Sequence, residues 1–167
     1  MISLAVISLL TGCVMTNPVN YAPSSVLSAS GHVSVSDFAY LPALQGKVKP
    51  NQIRNTAIGS ALFDQNISTL FRDAVFKELR FVGVNIDDQA RVLTGEIEEF
   101  LIDDIGFKID WTVRVTYTVS GPGHYKSTKE FKRRTSKFTD PPGVLNETIK
   151  LSIEELIKDP EFIAAIK

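Results

Sequence analysis

Residues 110–120, DWTVRVTYTVS, constrain the fold more than any other stretch, because apolar and polar residues alternate there without a break. The apolar residues share one parity and the polar residues the other: Trp111, Val113, Val115, Tyr117 and Val119 against Thr112, Arg114, Thr116 and Thr118. Successive side chains of a β-strand point to opposite faces of its sheet. The pattern therefore predicts an antiparallel strand with one face in the core and one face in water.

Three further segments have the features of strands. Residues 32–40, HVSVSDFAY, begin with alternating valines. Residues 91–103, RVLTGEIEEFLID, alternate up to Glu98 and Glu99, where the apolar residues change parity. A β-bulge at that point would keep both halves on the core side. Residues 124–138 follow the turn sequence GPG and are expected to run back antiparallel to the strand before them.

Two longer helices and one short helix are predicted. Residues 63–83 are the clearest helix, with Asn66 as a possible N-cap, Gly83 as a stop signal, and apolar residues three and four positions apart at Ile67, Leu70, Phe71, Val75 and Leu79. An apolar stripe also predicts a helix over 143–158. The Asp-Pro pair that follows favours a separate short helix over 160–166.

These elements together predict an α+β fold. Residues 41–59 contain prolines and glycines among polar residues and are interpreted as a long loop. The expected order is β-α-β-β-β-α-α, with a four-stranded, mostly antiparallel sheet and the helices packed on one face.

The single cysteine, Cys13, follows an apolar run, MISLAVISLL, that is too short to cross a bilayer of roughly 30 Å as a helix. Such a run has the length expected of an export signal. Leu10, Thr11 and Gly12 before the cysteine resemble the lipobox of bacterial lipoproteins. The resemblance implies that 1–12 are a signal peptide, that Cys13 receives a diacylglyceryl group, and that cleavage leaves it as the first residue. The alternatives are a cysteine in a core helix and a plain signal peptide.

The segment behind the cysteine is rich in Asn, Pro, Ser and Ala without a sustained period. Residues 13–30 are therefore interpreted as the lipidated cysteine and a flexible tether, and 31–167 as a periplasmic domain. The alternative is that part of this segment packs on the domain as an arm, with Tyr21 and Val26 as its anchors. Val14 occupies the position at which an Asp would favour retention in the inner membrane. Valine at this position therefore favours the periplasmic side of the outer membrane.

The whole arrangement resembles the small outer-membrane lipoproteins of the YajG type, and the auxiliary lipoproteins of lipid-transporting ABC systems have a comparable pattern. The resemblance depends on residues 70–73 through Gly83 on the helix, on 93–97 in the second strand, and on the terminal Asp-Pro-Glu-Phe at 159–162. It implies a fold and a location, and it supplies no catalytic residues.

Neither the composition nor the motifs indicate catalysis or nucleic-acid binding. The net charge of -1 and the pI of about 6.1 are not those of a basic nucleic-acid-binding protein. His32 and His124 are the only candidate general bases, and neither lies in a nucleophile motif, so both are interpreted as surface residues. With one cysteine and no His-x-x-x-His spacing, no metal site and no cofactor are expected.

Two groups of charged residues are candidate interaction surfaces. Acidic residues gather in the second strand and its turn, at Glu96, Glu98, Glu99, Asp103 and Asp104, and are interpreted as a solvated face. Basic residues gather in the fourth strand, at Lys126, Lys129, Lys132, Arg133, Arg134 and Lys137. The basic group has three interpretations: protection of an edge strand, a face for anionic headgroups, or half of an interface with an acidic partner or second copy.

The sequence thus predicts a lipid-anchored, non-catalytic protein on the periplasmic side of the outer membrane. It would be an accessory or structural part of an envelope assembly, with other envelope proteins or its own copies as partners. The alternative is an auxiliary lipid-binding lipoprotein of an ABC-type lipid transport system, which would need an apolar groove between helix and sheet.

Overall fold

The computed structural model describes residues 17–56, 61–137, 139 and 141–167. The elements in chain order are β1 (Ser34–Tyr40), α1 (Leu41–Leu44), β2 (Gln52–Asn55), β3 (Ala61–Leu62), α2 (Ile67–Phe81), β4 (Val92–Ile105), β5 (Lys108–Ser120), β6 (Tyr125–Ser136), α3 (Pro141–Ile157) and α4 (Pro160–Ala165).

The sheet is built around β4. Strands β4, β5 and β6 form the expected antiparallel meander, so β5 and β6 follow β4 on one side. Two strands share the other edge of β4, and both run parallel to it: β1 lies beside its first half and β2 beside its second half. Strand β3 pairs antiparallel with β2 at the margin.

The mixed α+β class is confirmed, but the expected count of four strands is wrong, because the sheet has six. The two additional strands, β2 and β3, lie in and just after the segment predicted to be a loop. They contain four and two residues, which is too short to show a period. Their conformation depends on pairing with β4 and with each other, which composition does not reveal.

The predicted β-bulge is confirmed in β4. Ile97 pairs with Val115 of β5 and Glu99 pairs with Arg114, so Glu98 is the extra residue between them. Both Ile97 and Phe100 are fully buried, which shows that the bulge keeps the two halves of β4 on the same apolar face.

Helices α2 and α3 cover that apolar face. Helix α2 packs against β1, α3 packs against β5 and β6, and the two helices contact each other. Asn66 occupies the N-cap position of α2 as predicted, although its side chain makes no capping bond. Gly83 follows the end of α2 with a φ of 106°, a conformation that favours glycine. The remaining face of the sheet is polar and has no helix of this pair against it.

The segment predicted to be a tether is, from residue 17 onward, packed on the domain. We refer to residues 17–33 as the N-terminal arm. Tyr21 is buried, as the alternative interpretation required, whereas Val26 is exposed over 95% of its surface. The tether prediction is therefore wrong for 17–30, because residues of this polar segment form specific hydrogen bonds to two helices.

Two buried carboxylates, one from α2 and one from α3, hold the arm. Glu78 accepts hydrogen bonds from the Tyr21 hydroxyl and from the backbone N–H groups of Ser24, at 3.0 Å, and Ser25, at 3.3 Å. The Ser25 hydroxyl donates to Glu154 at 2.7 Å. Burial, with the hydrogen bond to Glu78, raises the pKa of Tyr21, so its phenol remains a donor. We call this set of contacts the arm clasp.

Asp159 joins β6 to α4 at the other end of the helical layer. Its carboxylate caps α4 through the Glu161 N–H at 2.9 Å, accepts from the Tyr125 hydroxyl at 2.8 Å, and forms an ion pair with Lys129. Burial acts to raise the pKa of Asp159, but the hydrogen bonds from Lys129, Tyr125 and the Glu161 N–H outweigh it and lower the pKa to about 2.

We expect Asp159→Asn to lower the free energy of unfolding near neutral pH by about 1–2 kcal/mol, because asparagine still caps the helix but loses the charge. A lowered folded-state pKa stabilises the protein above the unfolded value of about 3.9 and is lost as the pH falls toward about 2. The difference between wild type and variant in urea unfolding should therefore shrink across that window. Glu161→Gln is the control, and an unchanged difference down to the lower limit would contradict the assignment.

Candidate functional site

Cys13 and the preceding Leu10, Thr11 and Gly12 lie outside the described residues, of which Asn17 is the first. The Asn17 N–H donates to the Leu62 carbonyl at 2.9 Å, and Asn17 forms a parallel bridge with Phe63. Asn17 is thus held beside β3, at the margin of the sheet.

The strand directions show in which direction the chain runs at Asn17. Strand β2 is parallel to β4 and therefore runs toward the β4–β5 turn, and β3, antiparallel to β2, runs away from it. Asn17 is parallel to the chain at Phe63 and also runs away from that turn. The described chain from Asn17 onward therefore runs away from the end of the sheet where β4 turns into β5. We call this end of the sheet the turn end.

An apolar pocket of about 280 Å³ opens where the arm passes over the sheet. Residues 17–20 of the arm cover one side, α3 contributes another wall, and the floor is formed by β4 and β5. Its apolar side chains are Val19, Phe63, Ile102, Trp111 and Leu145, with Pro18, Ala61 and Pro142 beside them and Asn17, Asn20 and Asn146 among the lining residues.

Hydrogen bonds hold the walls of this apolar pocket. The Trp111 indole N–H donates to the Thr135 hydroxyl at 3.0 Å, which fixes the ring on the floor. The Asn146 amide donates to the Asn20 carbonyl at 3.3 Å, which ties α3 to the arm. A cavity of roughly 150 Å³ lined by aliphatic and aromatic groups is known to admit benzene. The apolar pocket therefore has the size and chemistry to hold part of a hydrocarbon chain.

Some of the acidic and basic residues predicted from sequence meet on the polar face of the sheet. Arg114 of β5 stands between them: its guanidinium lies 3.5 Å from Glu99 of β4 and donates at 2.9 Å to Glu130 of β6. Glu99 also pairs with Arg54 at 3.3 Å, and Lys132 pairs with Glu130 at 2.7 Å. Much of the charge on the two strands is therefore paired within the chain.

The remaining predicted interaction residues divide between the two faces. Lys129 and Arg133 point to the helical side, where they pair with Asp159 and with Glu147, the latter at 3.1 Å. Glu98 accepts from the Thr116 hydroxyl at 2.5 Å.

Glu96 and Lys126 are exposed, and Arg134 is bonded to Asp110 at 2.6 Å. The eight predicted residues, Lys126, Lys129, Lys132, Arg133, Arg134, Glu96, Glu98 and Glu99, are thus not brought together on one surface.

The two histidines lie at the surface, as the sequence predicted. His32 is 3.1 Å from Asp87, and both side chains are more than half exposed. His124 is exposed just before β6. Across the described ranges, no group of three or more His, Cys, Asp or Glu side chains is placed to hold a metal ion. Within the same ranges no helix has the length and apolarity needed to cross a membrane.

Sequence comparison supplies no relative. The chain matches no known family model and no curated protein.

Several chains of solved structures match this chain, among them the following three. Protein XCC0632 of Xanthomonas campestris, of the DUF330 family, matches with a TM-score of 0.62 and 12% identity over 89% of this chain and 96% of its own, which shows a common fold. An uncharacterised protein matches with a TM-score of 0.42 and 10% identity over 84% and 92%. A dodecameric single-substitution variant of PelC from Paraburkholderia phytofirmans matches with a TM-score of 0.40 and 16% identity over 79% and 90%.

Sequence reasoning missed the apolar pocket and the apolar residues at the β4–β5 turn. The pocket is formed by four segments that are distant in the chain, and no local pattern indicates it. The turn is visible in the sequence, because two large apolar residues, Ile105 and Phe107, flank the turn residue Gly106.

Proposed function

We propose that this chain is a lipoprotein, held by acylated Cys13 on the periplasmic side of the outer membrane, and that it is a non-catalytic part of an envelope assembly. The observation that carries the proposal is the sequence Leu10-Thr11-Gly12-Cys13, which directly follows an apolar run of export-signal length. Three acyl chains on one cysteine would hold the protein durably, at about 0.8 kcal/mol per buried CH₂.

The docked arm limits the distance between this anchor and the domain. Asn17 follows Cys13 by four positions, a stretch that spans at most about 14 Å when fully extended. The domain would therefore be held against the membrane surface instead of at the end of a long tether. Confinement to two dimensions raises its effective concentration beside a partner in the same membrane.

Cys13→Ser is expected to abolish acylation and to release the protein from the membrane fraction. The measurement is cell fractionation combined with intact-mass analysis of the purified chain. Val26→Ser, which changes an exposed arm residue, is the control and should remain lipidated. Wild-type protein with a free thiol and with residues 1–12 still attached would refute the proposal.

The apolar pocket favours a second candidate function, that of an auxiliary lipid-binding lipoprotein. Its walls come from the arm, α3 and the apolar face of the sheet, which is the arrangement such a function requires. Its volume of about 280 Å³ is just below the range of about 300–1,000 Å³ that is typical of ligand sites, so an acyl segment fits it better than a whole phospholipid.

Leu145→Trp should fill the apolar pocket and weaken the binding of a fluorescent fatty acid at least about tenfold, or about 1.4 kcal/mol. The measurement is a fluorescence titration with cis-parinaric acid. Val19→Trp tests the same space from the arm, and Phe76→Trp, on the partly exposed face of α2, is the matched control. Equal binding by all four proteins would remove this second candidate.

A further inference from the structure

The β4–β5 turn exposes two large apolar side chains side by side. Phe107 is exposed over 79% of its surface and Ile105 over 51%. Isolated exposed apolar residues are common on protein surfaces, but neighbouring ones at the end of a hairpin form a patch with a distinct direction. We call residues 105–108 the hairpin tip.

The geometry of the hairpin tip holds these side chains outward. Ile105 pairs with Lys108, so Gly106 and Phe107 form a two-residue turn. Gly106 has a φ of 75°, whereas Phe107 has a negative φ, as in the type II′ turns that suit β-hairpins. An added Cβ at Gly106 would meet nothing within 4 Å, so glycine is required there for its backbone conformation and not for space.

Asn17 lines the same pocket as Ile102, which precedes Ile105 of the hairpin tip by three positions. The pairing of Asn17 with Phe63 places it level with the middle of β4, and the chain from Asn17 onward runs away from the hairpin tip. Residue 13 lies at most about 14 Å from Asn17 along an extended chain. A bilayer that holds the acyl chains of Cys13 would therefore lie close to Asn17, and the end of the domain that carries Phe107 can adjoin it.

The charges beside the hairpin tip do not oppose contact with lipid. Lys137 pairs with Asp104 at 2.6 Å, and Arg134 pairs with Asp110, so these charges are compensated locally. Lys108 is exposed and has a long side chain that can extend to the headgroups while its neighbour enters the apolar region. Burial of apolar surface is therefore the dominant contribution expected at this contact.

We propose that the hairpin tip inserts Phe107 and Ile105 into the interface of the bilayer that carries the acylated Cys13. This second contact orients the domain with its turn end toward the lipid and its opposite end toward the periplasm. The inference rests on the proposed acylation of Cys13. The expected depth is about 5–10 Å into the boundary between headgroups and acyl chains.

The full acylated chain provides the test. Cys13 is its only cysteine, and an acylated sulfur does not react with a maleimide, so an introduced cysteine can be labelled alone. Phe107→Cys is labelled with the environment-sensitive dye NBD and reconstituted into phosphatidylcholine vesicles with or without nitroxide-bearing lipid. Phe81→Cys is the matched control, because Phe81 is also an exposed phenylalanine, at 56%, but ends α2 at the opposite end of the sheet.

The label at 107 should shift its emission to the blue and lose most of its intensity to the lipid nitroxide, and the label at 81 should do neither. Thermal unfolding of both variants verifies that each is folded. If the protein floats with the vesicles while the label at 107 stays aqueous, or if both labels enter the lipid, the inference fails and the anchor stands. If the protein does not float, the proposed anchor fails and the inference fails with it.

Discussion

The arm clasp is the interaction on which the account of this protein depends. Two buried carboxylates are costly unless their oxygens accept hydrogen bonds or form ion pairs. The arm donates three hydrogen bonds to Glu78 and one to Glu154, which also lies 3.9 Å from the Lys158 ammonium. Glu78 uses both oxygens on the arm, and Glu154 accepts the Ser25 hydroxyl. Without the arm, the carboxylates of Glu78 and Glu154 would lose these hydrogen bonds. The same hydrogen bonds hold the arm against the two helices. This reciprocity determines the course of the arm across the two helices.

The sheet supports this arrangement by keeping its two faces distinct. From Trp111 to Val119, strand β5 buries the apolar parity of its side chains, whereas the polar parity is half-buried apart from the buried Thr116. The bulge at Glu98 keeps the apolar side chains of β4 on the same face. The helical side holds the buried core, and the apolar pocket opens beneath the arm. The polar side is a network of ion pairs centred on Arg114. Exposed pairs of this kind contribute little to stability individually and favour solubility.

Short sequence patterns correctly predicted the elements whose conformation depends mainly on neighbouring residues. The alternation of 110–120, the bulge and the helix ending before Gly83 are properties of short windows, and each is confirmed. Strands β2 and β3 were missed because their conformation comes from pairing with β4. The arm was misread for a related reason: its serines and Tyr21 have the composition of a linker, and only the distant Glu78 and Glu154 show that they are bonded. Charge patterns located the charged residues but not their partners, because Lys129 and Arg133 face the helices.

The most direct test of the account is amide hydrogen exchange in the arm. The backbone N–H groups of Ser24 and Ser25 are bonded to the buried Glu78, so they should exchange slowly, far below the rate of an unstructured chain. The N–H of Val26, whose side chain is exposed, serves as an internal reference within the same segment. Strong protection at Ser24 and Ser25 agrees with a docked arm. Exchange of both at the rate of an unstructured peptide would show a free tether and would contradict the arm clasp.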